Sequence, residues 1–275
     1  MLATANRRTV AQPSCARNKA RMTDDDILLA SALADAAGAA IRPFFRARFA
    51  IETKSDASPV TQADRAAERA IRDLLALHAP ADGIVGEEYG RERAGADRVW
   101  VLDPIDGTRA FIAGRPIFGT LIALLEQGKP MLGIIDQPIS GERWVGAAGR
   151  PTTLSGQVVT TRSCPTLADA LLATTSPWLF DAAGGSVFDR VRGSVRDTLL
   201  GGDCYNYGLL AAGHGDIVLE QGLQLYDFAA LVPVVEGAGG LMRDWRGGLL
   251  DADSDGAVVA VGDPSLLDPM LALLG

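Results

Sequence analysis

The sequence is short of the residues that many catalytic designs need. Histidine occurs twice, as His78 and His214, and cysteine three times, as Cys15, Cys164 and Cys204. Two histidines are too few for a His-rich zinc site and weigh against a Ser-His-Asp arrangement. An odd number of cysteines with no CxxC pair indicates no disulfide framework, which fits a reducing, cytoplasmic setting. Basic charge is also scarce. Lys and Arg number 26 against 34 Asp and Glu, a net charge of -8. Such a chain is a poor partner for a phosphate backbone, so no nucleic acid is expected. Apolar runs reach only about ten residues before a charge interrupts them, against roughly 20 for a membrane span. No membrane association is expected. Aromatic residues are scattered and make no stacking platform.

What is present describes a globular chain. Hydrophobic residues make up 48% of 275 and charged residues 22%, enough to bury a large core without staples. With so little His and Cys, any metal must be held mainly by oxygen, the ligand set of hard cations such as Mg2+.

Residues 1–23 stand apart, with Arg7, Arg8, Arg17, Lys19 and Arg21 and no acid. This segment reads as a targeting leader or, more simply, as an extension from an upstream start ahead of Met22. Beyond it, Thr23 and three aspartates open a helix whose apolar positions include Ile27, Leu28, Ala30, Leu33, Ala34, Ala37, Ile41 and Phe45. Residues 50–58 read as extended, and 61–77 as a second helix capped by Thr61. A short buried strand at 99–102 ends at Asp103-Pro104. Strands at 120–125, 131–136 and 142–147 suggest an antiparallel meander. In the second half, strands are expected at 170–174, 216–219, 241–244 and 257–262, and helices at 187–194, 206–212, 227–238 and 266–274. The stretch 149–156 is the expected boundary between an N-terminal part, 24–155, and a C-terminal part, 156–275. The mixture is α+β or layered α/β with at least two sheets.

The most informative segment runs from Trp100 to Thr108. A buried strand delivers Asp103 and Asp106 three residues apart, with Pro104 forcing a turn and Gly107 allowing close backbone approach. Carboxylates pinned so near each other repel, and a divalent cation relieves the repulsion. Upstream lies Gly86-Glu87-Glu88-Tyr89 after the apolar Ile84-Val85. Neighbouring side chains on extended backbone point oppositely, so one glutamate can face a metal while the other supports it.

GEE at 86–88, DPIDGT at 103–108, and YDFAAL at 226–231 followed by EGAGG resemble the motif set of the inositol monophosphatase family, over residues 24–272. The resemblance implies an αβαβα sandwich and a Mg2+-dependent phosphomonoesterase, commonly dimeric, with two or three metals per site and Mn2+ as a substitute. It implies metal ligation by Glu87, Asp103, the Ile105 carbonyl, Asp106 and Asp227. It gives Glu87 and Thr108 the task of activating water, and Lys54 and Asp64 supporting places around the site. Glu88 would support Glu87 from behind. Tyr226 stands where the family usually has Trp. Ser58 replaces an aspartate of the animal enzymes, which bears on a third metal; Asp56 could compensate. The phosphate would be held by metal and by the amides of Gly107 and Thr108.

Three further stretches, 108–120, 135–144 and 202–208, look like the bacterial histidinol-phosphate phosphatases of that superfamily. Their substrate carries an ammonium and an imidazole, and a desolvated amine needs an anionic partner. Asp203 and Glu220 are the candidates, with Asp203 also readable as a helix N-cap. The alternative substrates are inositol 1-phosphate or sugar phosphates. Asp251-Ala-Asp253-Ser-Asp255-Gly256 imitates an EF-hand start but has Gly262 where a glutamate ligand belongs, and reads as a hairpin loop.

Overall fold

The computed structural model describes residues 22–47 and 59–275. The extended segment expected at 50–58, with Lys54, Asp56 and Ser58, lies outside the described residues, as does the basic segment up to residue 21.

Two sheets carry the architecture. The first consists of β1 (Gly83–Gly86), β2 (Gly90–Glu92), β3 (Arg98–Asp106), β4 (Gly119–Glu126), β5 (Lys129–Gln137), β6 (Glu142–Ala147), β7 (Thr153–Leu154) and β8 (Gln157–Val158). Its spatial order is β2-β1-β3-β4-β5-β6-β7-β8. β1 and β3 pair in parallel, and β3 through β6 form the antiparallel meander. The second consists of β9 (Leu171–Thr174), β10 (Asp197–Leu200), β11 (Ile217–Glu220), β12 (Leu241–Asp244) and β13 (Val258–Val261). Its order is β10-β9-β11-β13-β12, with parallel pairing as far as β11. The expected boundary at 149–156 overlaps β7, and the hairpin β7–β8 continues the first sheet through it.

Side chains alternate across each strand, and here they alternate between two cores. Trp100 and Leu102 of β3 point to α1 (Asp24–Ile41) and α2 (Pro59–His78), while Val99 and Val101 point between the sheets. On β11, Val218 faces the space between the sheets. Ile217 and Leu219 face Phe188 of α4 (Ala182–Arg192) and Met270 of α8 (Leu267–Leu274). Between the sheets lie α5 (Tyr205–Ala211), α6 (Leu225–Phe228) and α7 (Leu231–Gly237). The layers are therefore helices, sheet, helices, sheet, helices. Strands covered on both faces need no polar alternation, which is why their sequences read as continuous apolar runs.

Helix α1 begins as its sequence indicates. Thr23 Oγ1 accepts from the Asp26 N–H at 3.2 Å, and Asp26 returns the bond to the Thr23 N–H at 3.0 Å. Such a capping box is worth about 1 kcal/mol. Ala30, Leu33, Ala34, Ala37 and Ile41 are fully buried, but Leu28, expected on the same face, is 66% exposed. By length and composition alone, Asp24–Phe44 is apolar enough to cross a membrane, although no uninterrupted apolar run in it is that long. Here its buried face packs against α2 and the first sheet.

Three other expectations are corrected. α2 starts at Pro59, so Thr61 lies inside the helix and is not its cap; proline suits a first turn because its missing N–H would have no partner there. The strand expected to stop at Asp103 continues to Asp106. The single helix expected at 227–238 is two, α6 and α7, because Pro233 has no N–H to donate and must occupy a new first turn.

The docking of α7 rests on two glycines. Gly133 of β5 faces Gly146 of β6 in the ladder. A Cβ on Gly133 would lie 1.9 Å from the Ala230 carbonyl oxygen, and one on Gly146 would lie 2.2 Å from that of Pro233. The pair forms a notch that only backbone without side chains can provide.

Candidate metal centre

The continuation of β3 carries the chemistry. β3 pairs with β4 down to Asp103 opposite Leu121, and pairing resumes with Asp106 opposite Gly119. One extra residue on β3 makes a bulge. Without it, residues three apart would face opposite sides of the sheet; with it, Asp103 and Asp106 share one side. Thr120 Oγ1 donates to the Pro104 carbonyl at 2.8 Å, and Asp103 Oδ1 accepts from the Ile105 N–H at 3.0 Å. Both bonds fix the bulge.

Asp227 arrives from the other half of the chain. It is the third residue of α6, where its Oδ2 accepts from the Gln224 N–H at 2.6 Å. Asp103, Asp106 and Asp227 each offer an oxygen, all within 4.8 Å of one another. Glu87 follows β1, and its N–H donates to the Leu102 carbonyl at 3.2 Å, which prolongs the parallel ladder and sets Glu87 beside Asp103. The neighbouring Asp103 carboxyl can hydrogen-bond to Glu87, which opposes the rise that burial imposes on Glu87.

Electrostatics mark the same groups. Burial, then the charges of Asp106, Glu87, Asp227 and Asp64, push the Asp103 carboxyl well above its ordinary range. Burial and the charges of Asp203 and Asp227 raise Asp106 to about 8. Burial raises Asp227 to about 6, against the opposing Gln224 hydrogen bond. Burial also raises Glu87. Asp64, on the first turns of α2, is raised to about 8 by burial and by Glu87, Glu88 and Glu68. Its buried Oδ1 has no protein partner. Carboxylates this close cannot all ionise without a cation. The all-oxygen donor set fits a hard divalent ion such as Mg2+.

The remaining expected residues fall around this cluster. Gly107 is in the left-handed region at φ 84° and caps α3 (Thr108–Ile112), presenting the amides of that first turn beside Asp106. Thr108 Oγ1 donates to the Ile105 carbonyl at 3.2 Å, so the hydroxyl and the expected backbone ligand are neighbours. Glu88 turns away and accepts from Arg65 Nε at 3.2 Å. Asp203 lies against Gly107, where an added Cβ would meet its carboxyl carbon at 3.0 Å. It is not a helix cap, because α5 is capped at Cys204. Burial raises Asp203 while Arg115 and Arg109 oppose the rise. Glu220 is 1% exposed, accepts from the Thr175 N–H at 2.7 Å and from Thr174 Oγ1 at 3.3 Å, and is raised by burial to about 7. Lys54 lies outside the described residues.

Sequence reasoning missed three contributors. The Cys204 N–H donates to Asp106 Oδ2 at 2.6 Å, a backbone role that no side-chain pattern announces. The Tyr207 hydroxyl is buried without a partner in the field of Glu220, Asp106 and Asp227. Glu68 is fully buried beside the Glu87 turn; its place one helical turn after Asp64 on the apolar face was the available signal.

Comparison with known proteins gives one consistent result. The profile of the inositol monophosphatase family matches residues 23–273. The bifunctional phosphatase IMPL2, chloroplastic, of Arabidopsis thaliana is 53% identical over 245 residues, covering 86% of this chain and 71% of that one. The histidinol-phosphatase of Chlorobaculum parvum is 36% identical over 240 residues, covering 86% of this chain and 92% of that one. Among solved structures, an inositol monophosphatase from Zymomonas mobilis superposes with a TM-score of 0.87 at 61% identity, covering 91% of this chain and 97% of that one.

Proposed function

We propose, starting from the fact that this chain belongs to the inositol monophosphatase family and is a metal-dependent phosphoric monoester hydrolase, that it hydrolyses histidinol phosphate to histidinol and phosphate, a step of histidine biosynthesis. The observation that carries the substrate choice is the pair of carboxylates beside the phosphate cradle. Glu220 is buried at a cost that raises it to about 7, and Asp203 sits against Gly107. A protonated amine placed between them would hold both ionised and gain charge-assisted bonds. Similarity to the Chlorobaculum parvum histidinol-phosphatase supports the same reading.

Glu87, Asp103, the Ile105 carbonyl, Asp106 and Asp227 would hold Mg2+. When bound, the ion supplies positive charge that polarises the phosphoryl group and acidifies water. The chain's own residues do the rest. Glu87 accepts the proton of the attacking water as the water oxygen bonds to phosphorus and the ester P–O bond breaks, that proton then passes to the departing histidinol oxygen, and the Thr108 hydroxyl orients the water. The Gly107 and Thr108 amides receive phosphate oxygens at the start of α3. Asp203 and Glu220 would hold the amine and so fix the orientation of the bound substrate. No side chain needs to take the phosphoryl group covalently. A homodimer in the cytoplasm, with Mn2+ able to replace Mg2+, completes the proposal.

Initial rates on histidinol phosphate and on inositol 1-phosphate, measured side by side with saturating Mg2+, test it. A preference for histidinol phosphate is expected. The second reading is an inositol-1-phosphate phosphatase, favoured by the likeness to the Zymomonas mobilis inositol monophosphatase, and a preference for inositol 1-phosphate would establish it instead.

A further inference from the structure

One stripe of α2 clamps the turn that carries Glu87. Arg65, Glu68, Arg69 and Arg72 recur at helical spacing and so share a face. Arg65 Nε reaches Glu88 Oε2 at 3.2 Å, Arg69 reaches the Tyr89 hydroxyl at 2.9 Å, and Arg72 reaches the Gly90 carbonyl at 2.6 Å. In the middle, Glu68 is fully buried. Its Oε2 accepts from the Glu88 N–H at 2.8 Å, and its Oε1 accepts from the Tyr89 N–H at 3.2 Å and from Arg72 Nε at 2.7 Å.

Gly86 makes this possible. A Cβ there would lie 2.0 Å from Glu68 Oε1, so any other residue would exclude the carboxylate from the two amides. Glu87 is thus held on both flanks. Its own N–H is bound to the Leu102 carbonyl, and the two amides that follow it are bound to Glu68. Removing the Glu68 carboxylate would leave two partly buried N–H groups without their acceptor and free the turn to rotate.

We infer that Glu68 is a positioning residue: through the Glu88 and Tyr89 amides it aims Glu87 at Asp103 and so sets the affinity of the centre for its divalent cation. This rests on the reading of Glu87 as a metal ligand. Groups that orient a ligand typically change metal affinity by 10–100-fold.

The test combines calorimetric Mg2+ titration of the metal-free protein with steady-state kinetics on Glu68→Gln, Glu87→Gln and the double variant. Glu68→Gln is expected to bind Mg2+ about tenfold more weakly and to lose about tenfold in kcat, with little change in KM. In the Glu87→Gln background the same change should add less than about twofold, since coupled groups are not additive. Wild-type Mg2+ affinity in Glu87→Gln overturns the ligand reading itself. Weak binding in Glu87→Gln together with wild-type binding in Glu68→Gln overturns only the role of Glu68, as do losses that multiply in the double variant. Should Glu68→Gln fail to unfold cooperatively, Arg72→Met removes one donor from Glu68 and is expected to weaken Mg2+ binding about threefold; unchanged binding there overturns the inference.

Discussion

The Cys204 backbone N–H donates to Asp106 Oδ2 at 2.6 Å, across 98 residues of sequence. The loop that leads into α5 therefore holds a carboxylate delivered by β3, and Asp203 presses on Gly107 in the same contact. Asp227 reaches the cluster from α6. The centre exists only where the inter-sheet helices dock on the first sheet, so its chemistry and its packing are coupled.

Asp103→Asn should abolish phosphatase activity without loss of fold. It removes a carboxylate that a cation needs, and it also removes acid–acid repulsion, so the metal-free variant should be no less stable than wild type in urea. More than about a tenth of the wild-type rate at saturating Mg2+, a loss under about 1.4 kcal/mol, would show that the ion is held elsewhere.

Glu87→Gln should lower kcat far more than Thr108→Ser, because serine keeps the hydroxyl whereas glutamine loses the base and the ligand charge. Glu88→Gln should fall between them, since Glu88 bonds Arg65 rather than facing Asp103. Rates of the three variants under one set of conditions decide this, and equal losses for the two glutamates would erase the distinction.

Asp203→Asn and Glu220→Gln should each reduce kcat/KM on histidinol phosphate by roughly ten- to a hundredfold, the worth of a charge-assisted bond of about 1.5–3 kcal/mol. Activity on 4-nitrophenyl phosphate, which has no amine, should change little. Equal loss on both substrates would place these acids in the metal centre or the fold.

Gly133→Ala should destabilise the protein and also weaken Mg2+ binding. The new methyl would lie 1.9 Å from the Ala230 carbonyl oxygen, and backbone must move to admit it, at a cost of about 1–3 kcal/mol or more. The displaced segment follows directly on α6, so Asp227 moves with it. Urea unfolding and calorimetry read the two effects; a stable variant with intact Mg2+ binding would mean that α7 docks without the notch.

Asp216 links stability to pH. Burial pushes its carboxyl up, but hydrogen bonds from Arg162 at 2.7 and 2.5 Å, the Leu171 N–H and the Arg162 charge outweigh burial and hold it below its ordinary value. A lowered folded value means that the contribution is complete above the unfolded carboxylate range, about pH 4, and is lost as pH falls through the folded value. Asp216→Asn should therefore cost about 1–3 kcal/mol at pH 7, and the gap to wild type should shrink at pH 3. A gap independent of pH would assign the loss to packing.

Much of this was determined by the sequence alone. The apolar periodicity of α1 and α2, the meander of β4 to β6, and the acids Glu87, Asp103, Asp106 and Asp227 are local patterns, in which a few neighbouring residues set the backbone geometry or carry the motif. What the tertiary structure decided are contacts between segments far apart in the chain. Pro104 reads as a turn in isolation, yet pairing with β4 converts it into a bulge that brings two aspartates to one side. Asp203 reads equally as a substrate contact or a helix cap, and the packing of its loop against Gly107, with α5 capped at Cys204, removes the second. Glu68 falls one helical turn after Asp64, yet only the notch at Gly86 seats its carboxylate under the Glu87 turn. Gly133 and Gly146 lie inside expected strands without any mark of their own, yet they are the seat of α7. In each case the deciding force is close packing or a hydrogen bond between distant segments, and neither leaves a period in the sequence.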